Sequence, residues 1–135
     1  MELSIFTDGS SHPNPGKMGI GIVIYKEGRI LKEISKCIGK GTNNIAEYKA
    51  LIVALKEAKK LGATRVKIFS DSNLMVEQIC GNSKTKNVNL KRLKGRVLQL
   101  SKSFDSFKLT YIPREKNELA NKLSNKEFLV TFYKK

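Results

Sequence analysis

Residues 66–80 read V-K-I-F-S-D-S-N-L-M-V-E-Q-I-C. Val66 to Phe69 is a short apolar run of strand type, and Ser72 to Ile79 continues as a helix that ends at Cys80-Gly81. The same alternation extends on both sides. From Asn44 to Leu61 the residues Tyr48, Leu51, Ile52, Leu55 and Ala58 recur at helical spacing, and Gly62 supplies a C-terminal stop. Leu90, Leu93, Val97, Leu98 and Leu100 mark a third helix within Asn89 to Phe104, with Lys91, Arg92, Lys94 and Arg96 on its exposed side. Phe107 to Ile112 is a further strand, and Pro113 begins the turn into a last helix near Glu115 to Asn125. Strands that alternate with helices pair in parallel, which makes this an α/β chain.

The N-terminal third has a different grammar. Leu3 to Phe6 is an apolar run stopped by Asp8-Gly9 and followed by the turn-rich S-S-H-P-N-P-G, so it reads as a buried strand feeding a loop. Gly19 to Tyr25 and Arg29 to Cys37 flank Glu27-Gly28, a two-residue hairpin signal. The first three strands therefore form a meander. The 135 residues fit one domain, 1–135, with enough apolar sequence for a core. The segment 127–135, apolar through Phe128, Leu129, Val130, Phe132 and Tyr133, is expected to dock back onto the body as a C-terminal tail.

Lys and Arg number 26 against 12 Asp and Glu, a formal net charge of +14 spread along the chain. Such an excess points to a polyanionic partner, because each neutralised phosphate releases condensed counterions. Cys37 and Cys80 lack any C-x-x-C or Cys/His spacing and read as reduced, partly buried thiols in a cytoplasmic protein, not as zinc ligands. No apolar run approaches a membrane span, and no membrane partner is expected.

Against this basic background, four short segments carry oxygen ligands: Asp8 in F-T-D-G-S, Glu47 in T-N-N-I-A-E-Y, Asp71 in F-S-D-S-N and Asn121 in R-E-K-N-E-L-A-N-K-L. Each has an ordinary structural explanation. Asp8 before glycine is a turn former, Glu47 a capping partner of Asn44, Asp71 a helix N-cap, and Asn121 a solvated helix residue. Together those explanations leave it unexplained that strand one, helix one and strand four each present an acid at the same end of the deduced sheet. Converging carboxylates repel one another unless a divalent cation sits between them, so the set implies a magnesium or manganese site. An acidic point on a cationic protein suits metal-assisted attack on a phosphodiester.

The elements T-D-G-S with N-P-G, T-N-N-x-A-E-Y-x-A-L, S-D-S and P-R-E-x-N-x-x-A-N-x-L follow in order over essentially the whole chain, and in this it resembles a type 1 ribonuclease H. The resemblance implies a ribonuclease H-like fold, a five-stranded mixed sheet with helices on both faces. It implies an endonuclease that hydrolyses the RNA strand of RNA/DNA hybrids with two Mg2+ ions, for which Mn2+ substitutes, leaving 5′-phosphate ends. Asp8, Glu47 and Asp71 match the first three active-site carboxylates. The fourth position, normally Asp, is Asn121. Its amide oxygen still ligates a hard cation but is neutral, so the resemblance implies a weaker site for the metal that activates water.

The same comparison assigns substrate contacts. Ser11, Asn14, Asn43, Asn44 and Asn73 match positions near the RNA strand, where 2′-hydroxyls require small donors and acceptors. Thr42 and Asn87 match a phosphate pocket for the DNA strand. Ordinary loop and cap chemistry is the alternative for this group. Two departures from the pattern stand out. Gly81 to Asn87 is too short for the Lys-rich protrusion of some members, and the loop before the last helix lacks their histidine. The single histidine, His12, reads as a surface or substrate-contacting residue, and Glu115, Asn117 or Glu118 as a partial replacement for that loop residue. This compact pattern is similar to archaeal-type and some bacterial members. The expected protein is a monomer. Two other readings remain open: a catalytically weak or inactive binder of hybrid or double-stranded RNA, which Asn121 favours, and a nuclease of the same fold acting on double-stranded RNA or DNA junctions.

Overall fold

A computed structural model of the chain describes the backbone of residues 1–133 and the side chains of residues 1–126. Five strands form one mixed sheet: β1 (Glu2–His12), β2 (Gly16–Lys26), β3 (Arg29–Gly41), β4 (Arg65–Ser70) and β5 (Ser106–Tyr111), in the spatial order β3-β2-β1-β4-β5. The helices are α1 (Asn43–Lys60), α2 (Asn73–Ile79), α3 (Val88–Ser101) and α4 (Glu118–Tyr133), with a single 3-10 turn at Arg114–Lys116. β1, β2 and β3 form the expected antiparallel meander, joined between β2 and β3 at Glu27-Gly28, where both residues have positive φ (52° and 79°) as a two-residue hairpin requires. β4 and β5 add in parallel on the other side of β1.

Central β1 is buried on both faces, and its two sets of alternating residues meet different helices. Leu3 and Ile5, with Ile20, Ile22 and Ile24 of β2 and Ile68 of β4, form a dry core under α1. That helix contributes Tyr48, Leu51 and Leu55, and α3 packs on it through Leu90 and Val97. On the opposite face α4 packs across β2, β1 and β3. Two glycines allow these approaches. A Cβ on Gly9 would lie 2.2 Å from the main chain of Ala46 in α1, and one on Gly21 would lie 2.1 Å from the carbonyl oxygen of Ala120 in α4. Helices therefore lie on both faces of the sheet, with α4 seated over β1, β2 and β3.

Three expectations need correction. β1 does not stop at Asp8 but runs to His12, because Ser10, Ser11 and His12 continue the ladder opposite Gly19, Met18 and Lys17 of β2. The last helix begins at Glu118, preceded by the 3-10 turn, rather than near Glu115. Cys37 and Cys80 are both exposed, not partly buried. The backbone of α4 reaches Tyr133, and the docking expected of the tail 127–135 falls on side chains outside the described residues. No helix among the described residues is long and apolar enough to cross a membrane.

Candidate active site

The site is built where the parallel half of the sheet ends. The β1/β4 ladder closes at Thr7–Ser70, so Asp8 is the first β1 residue without a β4 partner, and Asp71 is the first residue past β4. Ligands gather at such a point in α/β sheets because the strand ends splay there. Glu47 arrives from the first turns of α1, brought within reach by the absence of a side chain at Gly9. The result is a cluster in which one carboxylate oxygen each of Asp8, Glu47 and Asp71 lies within 4.8 Å of the others.

The ordinary explanations for these acids fail individually. Thr42, not Asn44, caps α1, its Oγ1 accepting from the Ile45 amide at 3.2 Å, and Glu47 Oε1 instead accepts from the amide of Gly9 at 2.9 Å. Ser72, not Asp71, caps α2. Asp8 is no turn residue, since it sits inside β1 opposite Gly21.

Burial and mutual repulsion raise the cost of charging the cluster. Removal from water raises the Asp8 carboxyl to about 7, with the Asp71 charge adding to the rise and the Ser124 hydroxyl opposing it. Burial likewise pushes Glu47 well above the usual carboxylate range, reinforced by the charges of Asp8 and Asp71. Arg114 opposes both shifts and lines the same cleft of about 310 Å³, which it shares with Ser11, His12, Asn43 and Asn125 as well as the acids. Three hard oxygen donors converging on a cleft short of positive charge fit a divalent cation.

Asn121 is drawn to the cluster in an orientation the sequence did not disclose. Its Nδ2 donates to the Asn117 carbonyl at 2.8 Å and to Asp71 Oδ2 at 3.2 Å. A main-chain carbonyl only accepts, so the amide NH2, not the oxygen, faces Asp71. Asn117, itself buried, donates through Nδ2 to the Thr7 carbonyl at 2.9 Å and to Asp71 Oδ2 at 3.3 Å. Ser124 donates to Asp8 Oδ2. Two amides thus hold Asp71 while one hydroxyl holds Asp8.

Of the residues assigned to substrate, Ser11 and Asn43 line the cleft and Asn14 is hydrogen-bonded to both. The Ser11 amide donates to Asn43 Oδ1 at 2.7 Å, and the Ser11 hydroxyl donates to Asn14 Oδ1 and Asn43 Oδ1, each at 3.1 Å. Asn14 Oδ1 also accepts from the Asn43 amide at 3.1 Å. Thr42 and Asn87 are the N-caps of α1 and α3, and Asn44 and Asn73 are exposed in the first turns of α1 and α2. His12 lies at the end of β1 with Nε2 2.6 Å from Asn125 Oδ1. Glu115 and Glu118 do not line the cleft of the acids; they line a notch beside Phe6 and Tyr25 and a second pocket shared with Arg114, Asn121 and Lys122.

Sequence reading missed Arg114, Ser124 and Asn125. Arg114 stood in the P-R-E element and was readable as a cation near the acids. Ser124 and Asn125 carry no such signal, because only the seating of α4 on Gly21 brings that helix face to Asp8.

Comparison with known proteins agrees with this architecture. The reverse transcriptase-like family model matches residues 6–127. The chain is 39% identical over 93% of its length to a bifunctional protein of Mycobacterium tuberculosis, of which it spans 35%. The crystal structure of ribonuclease H1 from Halobacterium salinarum superimposes with a TM-score of 0.91 at 36% identity, over 93% of this chain and 96% of that one. A compost-derived ribonuclease H1 in complex with RNA/DNA hybrid is similar at a TM-score of 0.83 and 38% identity, over 93% and 99% of the two chains.

Proposed function

Because the chain belongs to the ribonuclease H family within the reverse transcriptase-like group, we propose that it is an endonuclease cutting the RNA strand of RNA/DNA hybrids. The observation that carries this reading is the convergence of Asp8, Glu47 and Asp71 within 4.8 Å in a basic protein. The three carboxylates would hold two divalent cations, Mg2+ with Mn2+ as substitute, and the metal supplies an activated water and charge neutralisation at the phosphodiester.

The chain's own residues have distinct tasks in this scheme. Asn117 and Asn121 keep Asp71 turned toward the other acids. Ser124 does the same for Asp8. In the resting orientation Asn121 is a positioning residue, and it becomes a ligand only if its amide turns its oxygen inward. Arg114, a permanent cation at the rim of the cleft, would meet the phosphate beside the scissile bond. Ser11, Asn14 and Asn43 offer the small donors and acceptors that read 2′-hydroxyls, while Thr42 and Asn87 would hold a phosphate of the DNA strand. We take the protein to act as a monomer in the cytoplasm.

Asn121 supports a second reading, a hybrid or double-stranded RNA binder with weak cleavage, because a neutral amide takes the place of an acid. One assay separates the two. Cleavage of hybrid, duplex RNA and duplex DNA is followed in Mg2+ and then Mn2+, for the parent and for Asp71→Asn. Hybrid cleavage that falls at least about 10³-fold in the variant, with hybrid affinity in metal-free buffer kept, establishes the nuclease. Binding without metal-dependent cutting by the parent establishes the binder.

A further inference from the structure

The seating of α4 on β1, β2 and β3 leaves the same face of β4 and β5 without a helix among the described residues. Its composition is unlike that of a merely solvated sheet. Register places Phe6 of β1 beside Phe69 of β4, and the row below holds Lys67 of β4 beside Lys108 of β5. The Phe6 and Phe69 rings are stacked, with centroids 4.9 Å apart and planes 24° from parallel, and Tyr25 meets Phe6 edge-on at 5.5 Å. All three rings are half-buried, whereas Arg65, Lys67 and Lys108 are exposed. Next to the rings, a notch of about 240 Å³ opens between Phe6, Tyr25 and the segment 115–120.

We propose that this face binds single-stranded nucleic acid, and specifically a single-stranded extension of the duplex held in the active-site cleft. The proposal rests on the nuclease reading for its location, since Phe6 and Asp8 are successive residues on one face of β1, about 7 Å apart along the strand. Flat aromatic surfaces on a sheet stack unpaired bases, which a duplex does not present. The charges divide accordingly. Lys67, Lys108 and Arg65 lie over β4 and β5, strands without an acid, where a backbone would run, and Lys67 also pairs with Glu2 of neighbouring β1 at 3.2 Å. The far wall of the notch carries Glu115 and Glu118 against one cation, Lys116, an acidic balance that disfavours phosphates and leaves the notch to uncharged bases.

The test uses fluorescence anisotropy in metal-free buffer with three probes: an oligothymidine of about 15 nucleotides, a blunt RNA/DNA hybrid, and the same hybrid carrying an oligothymidine tail. The variants are Phe69→Leu and the pair Lys67→Ser with Lys108→Ser, checked for folding by circular dichroism. The parent is expected to bind the tailed hybrid at least about fivefold more tightly than the blunt one. Both variants should lose that increment and bind the free oligothymidine more weakly, with blunt-hybrid cleavage unchanged within about twofold. Three results overturn the proposal: no gain from the tail in the parent, a gain that survives in both variants, or an equal loss of blunt-hybrid binding, which would make this face part of a general polyanion surface. Oligothymidine binding by a parent that cuts no hybrid would refute the nuclease reading and leave this site standing.

Discussion

The two faces of β1 carry opposite chemistries on one run of eleven residues. Leu3 and Ile5 point into the core beneath α1 and are fully buried among aliphatic neighbours. Phe6 and Asp8 point the other way, toward α4, where the helix supplies Asn121, Ser124 and Asn125 instead of a continuous apolar stripe. One face stabilises the domain, and the other stores unfavourable electrostatics for use on a ligand. The lesson is that a buried carboxylate cluster survives because the reverse side of the same strand supplies enough apolar burial to tolerate it.

Ile5→Ala should sharpen that contrast most, costing about 4 kcal/mol of stability in chemical denaturation through lost burial and an unfilled cavity. Its cleavage rate per folded molecule should stay near that of the parent. A rate that collapses in the still-folded variant would break the division between the faces. Gly21→Ala is next, at about 3 kcal/mol, because its Cβ would lie 2.1 Å from the Ala120 carbonyl oxygen. Here activity should fall as well, since α4 is pushed off together with Ser124 and Asn121.

A third prediction follows from the raised carboxyl of Asp8. Its folded value, about 7, lies above that of an exposed aspartate, so the proton it retains stabilises the fold at low pH and that contribution is lost as pH rises through 7. Asp8→Asn should therefore raise the stability of the metal-free protein by about 2 kcal/mol at pH 8 and leave it nearly unchanged at pH 4. Thermal melts at the two pH values decide it, and equal shifts at both would show that Asp8 is not strained. Added Mg2+ should stabilise the parent and not the variant. The smallest effect is expected from Asn121→Asp, a few-fold higher cleavage rate at low Mg2+ that narrows at high Mg2+. Superimposable metal titrations would remove Asn121 from the site.

How far the sequence disclosed all this depended on the range of the forces involved. The order of strands and helices was legible because apolar spacing such as Tyr48, Leu51, Ile52 and Leu55 is local. Asp8, Glu47 and Asp71 were legible because acids are conspicuous in a basic chain. The extension of β1 through Ser10, Ser11 and His12 was not, since these residues resemble a turn and are held as strand only by pairing with Met18 and its neighbours in β2. The donor orientation of Asn121 depended on the Asn117 carbonyl one helical turn away and on where Asp71 came to rest. Arg114 lay within a quoted element, yet its electrostatic reach became evident only with the acids in place.

The outermost strand, β3, carries a further consequence. With β2 on one side, its other edge has no strand beside it in the sheet, and Ile30 and Leu31 are 47% and 46% exposed near its start. A long edge with apolar side chains invites a second molecule to extend the sheet. Arg29, Lys36 and Lys40, with Lys32 paired to Glu57, outnumber the lone acid Glu33 on the same strand, so two such edges brought together would set an excess of like charge face to face. Cationic charge that suits a polyanion thus also guards against fibrous self-association, and variants that neutralise these side chains should aggregate at concentrations where the parent stays clear.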